Sequence, residues 1–108
     1  DAALAALDGI TAPATRTGAG HAWHQYVLRV PDRDRFMAHL DGHGIATGIH
    51  LPIPCHLQPV YSAHPQSHPG SLPVTEAICA DIVSIPVHPH LTDAEVGRVI
   101  SAVCSYEP

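Results

Sequence analysis

Ten histidines, three cysteines and no lysine stand in these 108 residues, and five side chains able to bind a ligand or move a proton fall within one short stretch. His50, Cys55, His56, Gln58 and Tyr61 are carried on Gly44–Tyr61 (GIATGIHLPIPCHLQPVY). Pro52, Pro54 and Pro59 fix φ and withhold amide donors there, so the loop is held extended without belonging to a sheet. A rigid loop of this kind presents polar groups. The plainer alternative is a surface crossing with its side chains in water.

Two other chemistries are set aside on spacing. His88 and His90 flank Pro89 and Cys55 abuts His56, but neighbouring ligands around a proline match no dedicated zinc pattern, and a tetrahedral site needs two more. No metal ligands are therefore expected, and a histidine-rich metal binder is only a third reading. His21, His39, His43, His64 and His68 read as exposed or turn residues, and His24 as a hydrogen-bonded histidine in a sheet. No nucleophile elbow supports a Ser-His-Asp hydrolase. Cys55, Cys79 and Cys104 are odd in number and lack CxxC spacing, which speaks against a disulfide framework and fits reduced thiols in a cytoplasmic protein.

The elements that must position the loop follow from periodicity. Leu4 and Leu7 sit three apart on an opening helical remnant that Asp8-Gly9 ends, and TAPATRTGAG (11–20) has linker composition. His21–Val30 alternates with neither face purely polar, as in a strand covered on both sides. Pro31 closes it, Asp32 is an N-cap for a helix burying Phe36, Met37 and Leu40, and Gly42 or Gly44 stops that helix. Ile45–His50 supplies a second strand, so the order strand–helix–strand suggests a crossover unit or an open-faced sandwich. His56–Ala63 has the length of a short helix, and 62–71 is turn-rich. Pro73 suits a helix N1 position, with Val74, Ala77, Ile78 and Ile82 as its stripe. Ser84–Val87 reads as extended. The last helix carries the capping box Thr92-Asp93-Ala94-Glu95 with a Leu91/Val96 staple, and buries Val96, Val99, Ile100 and Val103.

Length admits one small domain with a modest core, and 45% apolar against 14% charged residues is apolar for a solvated monomer, so part of the surface expects a partner. A net charge of −5 argues against tracking nucleic-acid phosphates. No apolar run reaches the ~20 residues that span a bilayer. The chain starts at Asp1 inside an apparent helix, which reads as a fragment or a processed piece.

Four blocks in order, HAWHQYVLRV (21–30), RDRFMAHLDGHGI (33–45), GIHLPIPCHLQPVY (48–61) and LPVTEAICADIVSIPVHPHLTDAEV (72–96), carry a resemblance. They resemble the C-terminal, small domain of the DegT/StrS family of pyridoxal-phosphate-dependent nucleotide-sugar aminotransferases, of fold type I. The resemblance implies an α/β domain with a short, mostly antiparallel sheet packed with helices. Residues 1–20 would then end an interdomain helix and linker, and 21–108 would form the small domain, the large cofactor-binding domain being absent. It implies a homodimeric cytoplasmic enzyme that uses pyridoxal 5'-phosphate to move an amino group from an amino acid, glutamate by expectation, to a nucleotide-linked keto sugar. The isoleucine–histidine–proline form of the loop is closer to members acting on 3-keto than on 4-keto sugars. His50, Leu51 and His56 are the substrate-binding residues so implied. Leu51 departs from the aromatic usual in the family, which removes a hydroxyl and a stacking ring. With Arg16, Arg29, Arg33, Arg35 and Arg98 the only Lys or Arg residues, no Schiff base to the cofactor can form on a side chain, so no catalytic or cofactor-binding residue is expected here and the chain alone should be inactive. The alternative is a non-catalytic small domain acting as an interaction or ligand-binding module.

Overall fold

A computed structural model describes Ala3, Leu4 and residues 7–107. Its elements are β1 (Tyr26–Arg29), α1 (Arg33–Gly42), two 3₁₀ turns (Cys55–Leu57 and Pro59–Tyr61), α2 (Pro73–Asp81), β2 (Ile82–Ile85) and α3 (Asp93–Cys104). β1 and β2 pair antiparallel, with Tyr26 opposite Ile85, Val27 opposite Ser84, Leu28 opposite Val83 and Arg29 opposite Ile82. Because side chains alternate along a strand, Tyr26, Leu28, Val83 and Ile85 share one face, and Val27, Arg29, Ile82 and Ser84 share the other. The first face joins Val30, Phe36, Leu40, Ile45, Val99, Val103 and Tyr106 in the core. This is a small α/β domain with a short antiparallel sheet, as expected.

Helix ends follow local chemistry closely. Asp32 accepts from the Arg35 N–H at 3.4 Å to cap α1. At the other end Gly44 takes φ 70°, and the N–H groups of Gly44 and Ile45 reach Asp41 O (2.8 Å) and Leu40 O (2.9 Å). That double bond closes the helix as a Schellman motif, with Leu40 and Ile45 both buried beneath it. In α3, Thr92 Oγ1 accepts from the Glu95 N–H at 3.3 Å while Glu95 Oε2 accepts from the Thr92 N–H at 2.8 Å, which is the expected capping box.

Five expectations need correction. The first strand is only Tyr26–Arg29, because Trp23 turns the chain at φ 48° and stacks between His21 (4.1 Å) and Tyr26 (5.1 Å). His24 is accordingly exposed and outside the sheet. Ile45–His50 is no strand but a single bridge, Gly48 to Ser84. The Ile45 N–H is committed to Leu40 and only Gly48 exchanges bonds with Ser84, so the ladder here stays one bridge long, and the paired strands are β1 and β2. On α2 the stripe Val74, Ala77, Ile78 faces outward, Val74 being 72% exposed, while Cys79 is the buried position and Ile82 already belongs to β2. On α3, Val99, Ala102 and Val103 are buried, but Val96 remains 39% exposed.

The opening helical remnant falls partly on residues outside the described set. Leu4 and Ile10 are buried in the core, and Thr11 exchanges two 3.0 Å backbone bonds with Arg29 along the free edge of β1. Gly48 does the same along β2. The sheet is thus flanked by one bridge on each side, and the bridge at Gly48 is the one that aims the proline loop.

Candidate functional site

Ser84, in the middle of β2, organises the candidate site. Its N–H donates to Gly48 O at 2.7 Å and its carbonyl accepts from the Gly48 N–H at 3.0 Å. Two residues beyond Gly48 the chain returns to the same side of the sheet, and there His50 Nδ1 lies 2.9 Å from Ser84 Oγ. A Cβ built on Gly48 would stand 3.6 Å from His50 Cε1, so the ring folds back over that glycine. Ser84 is 8% exposed, whereas His50 is exposed. One ring edge is therefore fixed to the domain and the other is presented outward.

The outward edge borders a cavity of about 300 Å³ lined by Gln25, Val27, His50, Leu51, Ile78 and Ser84, among others. That volume suits a small ligand group. Its lining carries no formal charge. Leu51, 53% exposed, and Ile78, from the outward stripe of α2, supply the apolar walls. The only ion pair on this face of the sheet among the described residues is Arg29–Asp81 at 3.0 Å.

His56 lies on the first 3₁₀ turn and lines a different cavity, about 290 Å³, with Cys55, Tyr61, His64, Gln66 and Leu72. Its Nε2 is 3.1 Å from Glu76 Oε1, and its side chain is only 11% exposed. Glu76 also accepts from the Gly70 N–H at 2.9 Å and the Leu72 N–H at 3.2 Å. Ser67 Oγ donates to His56 O, which ties the 62–71 turns to the same turn. The Gly70 N–H above all, then the His56 contact and the Leu72 N–H, hold the Glu76 carboxyl below the usual carboxylate range. Gln58 spends its amide inside the loop, donating to Ile53 O at 3.0 Å.

His50 and Leu51 are thus brought together, and His56 is held apart from them in a clasp. Sequence reasoning missed Ser84, Glu76, Gln25 and Ile78. Ser84 stands 34 residues from its histidine with no local signal, while Glu76 carried one, an acid in the first turn of a helix. Among the described residues no three His, Cys, Asp or Glu side chains converge as a metal site would need, and no helix is long and apolar enough to cross a membrane. A larger groove of about 580 Å³ runs along α3 past His43, Arg98, Ser101 and Ser105. None of the residues expected to bind substrate lines it.

Comparison with known proteins identifies the family. The model of the DegT/DnrJ/EryC1/StrS aminotransferase family matches residues 1–104. The chain is 41% identical over 97 residues to the erythromycin biosynthesis sensory transduction protein EryC1 of Saccharopolyspora erythraea, covering 90% of this chain and 26% of that protein. It is 40% identical over 100 residues to the dTDP-3-amino-3,4,6-trideoxy-alpha-D-glucose transaminase of Streptomyces venezuelae, covering 93% and 26%. The crystal structure of S. venezuelae DesV in complex with a ketimine intermediate superposes with a TM-score of 0.89 at 39% identity, covering 95% of this chain and 28% of that one. The chain spans about a quarter of the length of the curated relatives it matches.

Proposed function

This chain belongs to the DegT/DnrJ/EryC1/StrS aminotransferase family, and from that premise we propose that it is the small, C-terminal part of a cytoplasmic nucleotide-sugar aminotransferase. The observation that carries the reading is His50, its Nδ1 tied to Ser84 and its other edge at the mouth of an uncharged cavity. In the complete enzyme, which we take to be a homodimer, His50 and Leu51 form part of the wall that receives the keto sugar. His50 hydrogen-bonds a sugar oxygen, and Leu51 with Ile78 covers an apolar ring face. His56 serves the same loop from the adjoining cavity, where its bond to Glu76 fixes the path of the chain past Cys55. The amino donor is an amino acid, glutamate in the first instance.

Pyridoxal 5'-phosphate is the cofactor such an enzyme uses, and the residues here do not fit it. There is no lysine in the chain, and the His50 cavity presents no cation to a phosphate. Cofactor binding and the amine-carrying group belong to the remaining three-quarters of the protein, so this chain alone is inactive.

The acceptor is proposed to be a 3-keto sugar. The loop form and the 3-amino product named for the Streptomyces venezuelae relative support that position. The test is to supply the complete enzyme with glutamate and with dTDP-linked 3-keto or 4-keto deoxysugars, and to follow 2-oxoglutarate release. Release beyond the single equivalent that glutamate alone gives is expected only with the 3-keto sugar. Preference for the 4-keto sugar would overturn the assigned position, and no release with either would favour a ligand-binding module.

A further inference from the structure

We infer that Ser84 is the positioning residue for His50, and that its hydroxyl sets the imidazole to the tautomer that donates from Nε2 into the cavity. This deepens the reading of His50 as a substrate-side residue and rests on it.

Among the described residues Ser84 is the buried polar one, and it lies on the face of β2 that looks away from the core, beside the His50 cavity. Its Oγ has one hydrogen-bond partner among the described residues, His50 Nδ1 at 2.9 Å. A hydroxyl owns one hydrogen and two lone pairs, and burying the hydrogen without an acceptor costs more than leaving a lone pair idle. Were Nδ1 protonated, it would donate to Oγ and leave the serine hydrogen with no acceptor among the described residues. With Nδ1 unprotonated, the serine hydrogen is satisfied and the ring proton sits on Nε2. The second arrangement leaves no buried donor unpaired.

The backbone makes the lock stiff. The two bonds between Ser84 and Gly48 fix where the loop leaves the sheet, 2.7 and 3.0 Å long. The ring then packs over Gly48, so close that a Cβ there would meet His50 Cε1 in van der Waals contact at 3.6 Å. Pro52 holds the chain straight just beyond. The imidazole has few ways to turn, and Nε2–H points where a sugar carbonyl or hydroxyl oxygen would lie. A donor aimed there before the ligand arrives has already met its ordering cost.

The test reads the tautomer directly. In the full 108-residue chain labelled with 15N-histidine at neutral pH, the neutral His50 ring should show a pyridine-type Nδ1 and a protonated Nε2. Ser84→Ala should move both resonances toward the average of the two tautomers, and Ser84→Thr, which keeps a hydroxyl, should restore them. A protonated Nδ1 in the unsubstituted chain overturns the proposal by itself, and so does an unshifted His50 in Ser84→Ala. In the complete enzyme Ser84→Ala should lower kcat/KM for the sugar about tenfold, the scale of one hydrogen bond, with the amino-acid half-reaction unchanged. If the resonances move as expected while sugar turnover does not, Ser84 positions the ring and the substrate role of His50 is what fails.

Discussion

His50 and His56 lie six positions apart on one loop, and their different fates come from the groups the fold sets against a single ring nitrogen. His50 Nδ1 meets a neutral hydroxyl, and its ring stays open to solvent; His56 Nε2 meets a carboxylate, and its ring is closed off. The Glu76 side has a pH signature. Held below the ordinary range chiefly by the Gly70 N–H, its carboxylate contributes stability that is complete above the unfolded-chain value, about 4.3. That contribution is lost as pH falls through the lower folded value. An acid titration followed by NMR should therefore show the Gly70 amide proton shifting below the usual glutamate midpoint, and Glu76→Gln should abolish the step. A step at the ordinary midpoint would mean that the clasp is open in solution. The loop histidines were legible in the sequence as a polar cluster. Their partners were not, since Ser84 and Glu76 arrive from elements 34 and 20 residues away.

At the level of elements, helix caps are legible in the sequence and the choice of partners is not. The caps at Asp32, Gly44 and Thr92 are short-range chemistry and stand where the sequence placed them. The strand over Ile45–His50 shrinks to the single bridge at Gly48, its first N–H being taken by the turn that ends α1. The α2 stripe failed because apolar periodicity shows that a face will be covered without saying by what. Two alanine substitutions separate backbone conformation from packing. Gly44 sits at φ 70° with open space where a Cβ would go, so Gly44→Ala should cost about 1–2 kcal/mol from the left-handed backbone alone. Gly97, inside α3 with equally open space, should gain about 0.5–1 kcal/mol as Gly97→Ala. Urea unfolding midpoints give both signs. A Gly97→Ala variant less stable than the parent would show that this helix face is already occupied.

As a whole the molecule is more extended than a self-contained domain of its size. Its radius of gyration is 15.8 Å, where about 13 Å describes a compact globule of ~100 residues. Val60, on the second 3₁₀ turn, and Val74, in the first turn of α2, are 81% and 72% exposed. An exposed apolar surface of this kind fits a chain that spans about a quarter of the length of its relatives. The chain also lacks lysine: incubation with pyridoxal 5'-phosphate, borohydride reduction and digestion should leave every internal peptide unlabelled, and a stoichiometric internal pyridoxyl adduct would contradict that. The central claim, that His50 faces the sugar, is tested most directly by transient kinetics of His50→Ala in the complete enzyme, with the two half-reactions measured separately. Loss of the ring opens Ser84 to water, so the melting temperature should stay near that of the parent. The sugar half-reaction should lose about 1–3 kcal/mol in kcat/KM, the scale of one or two hydrogen bonds, and the amino-acid half-reaction should be unchanged. An earlier melt with kcat/KM per folded molecule intact would make His50 a structural residue and contradict the account.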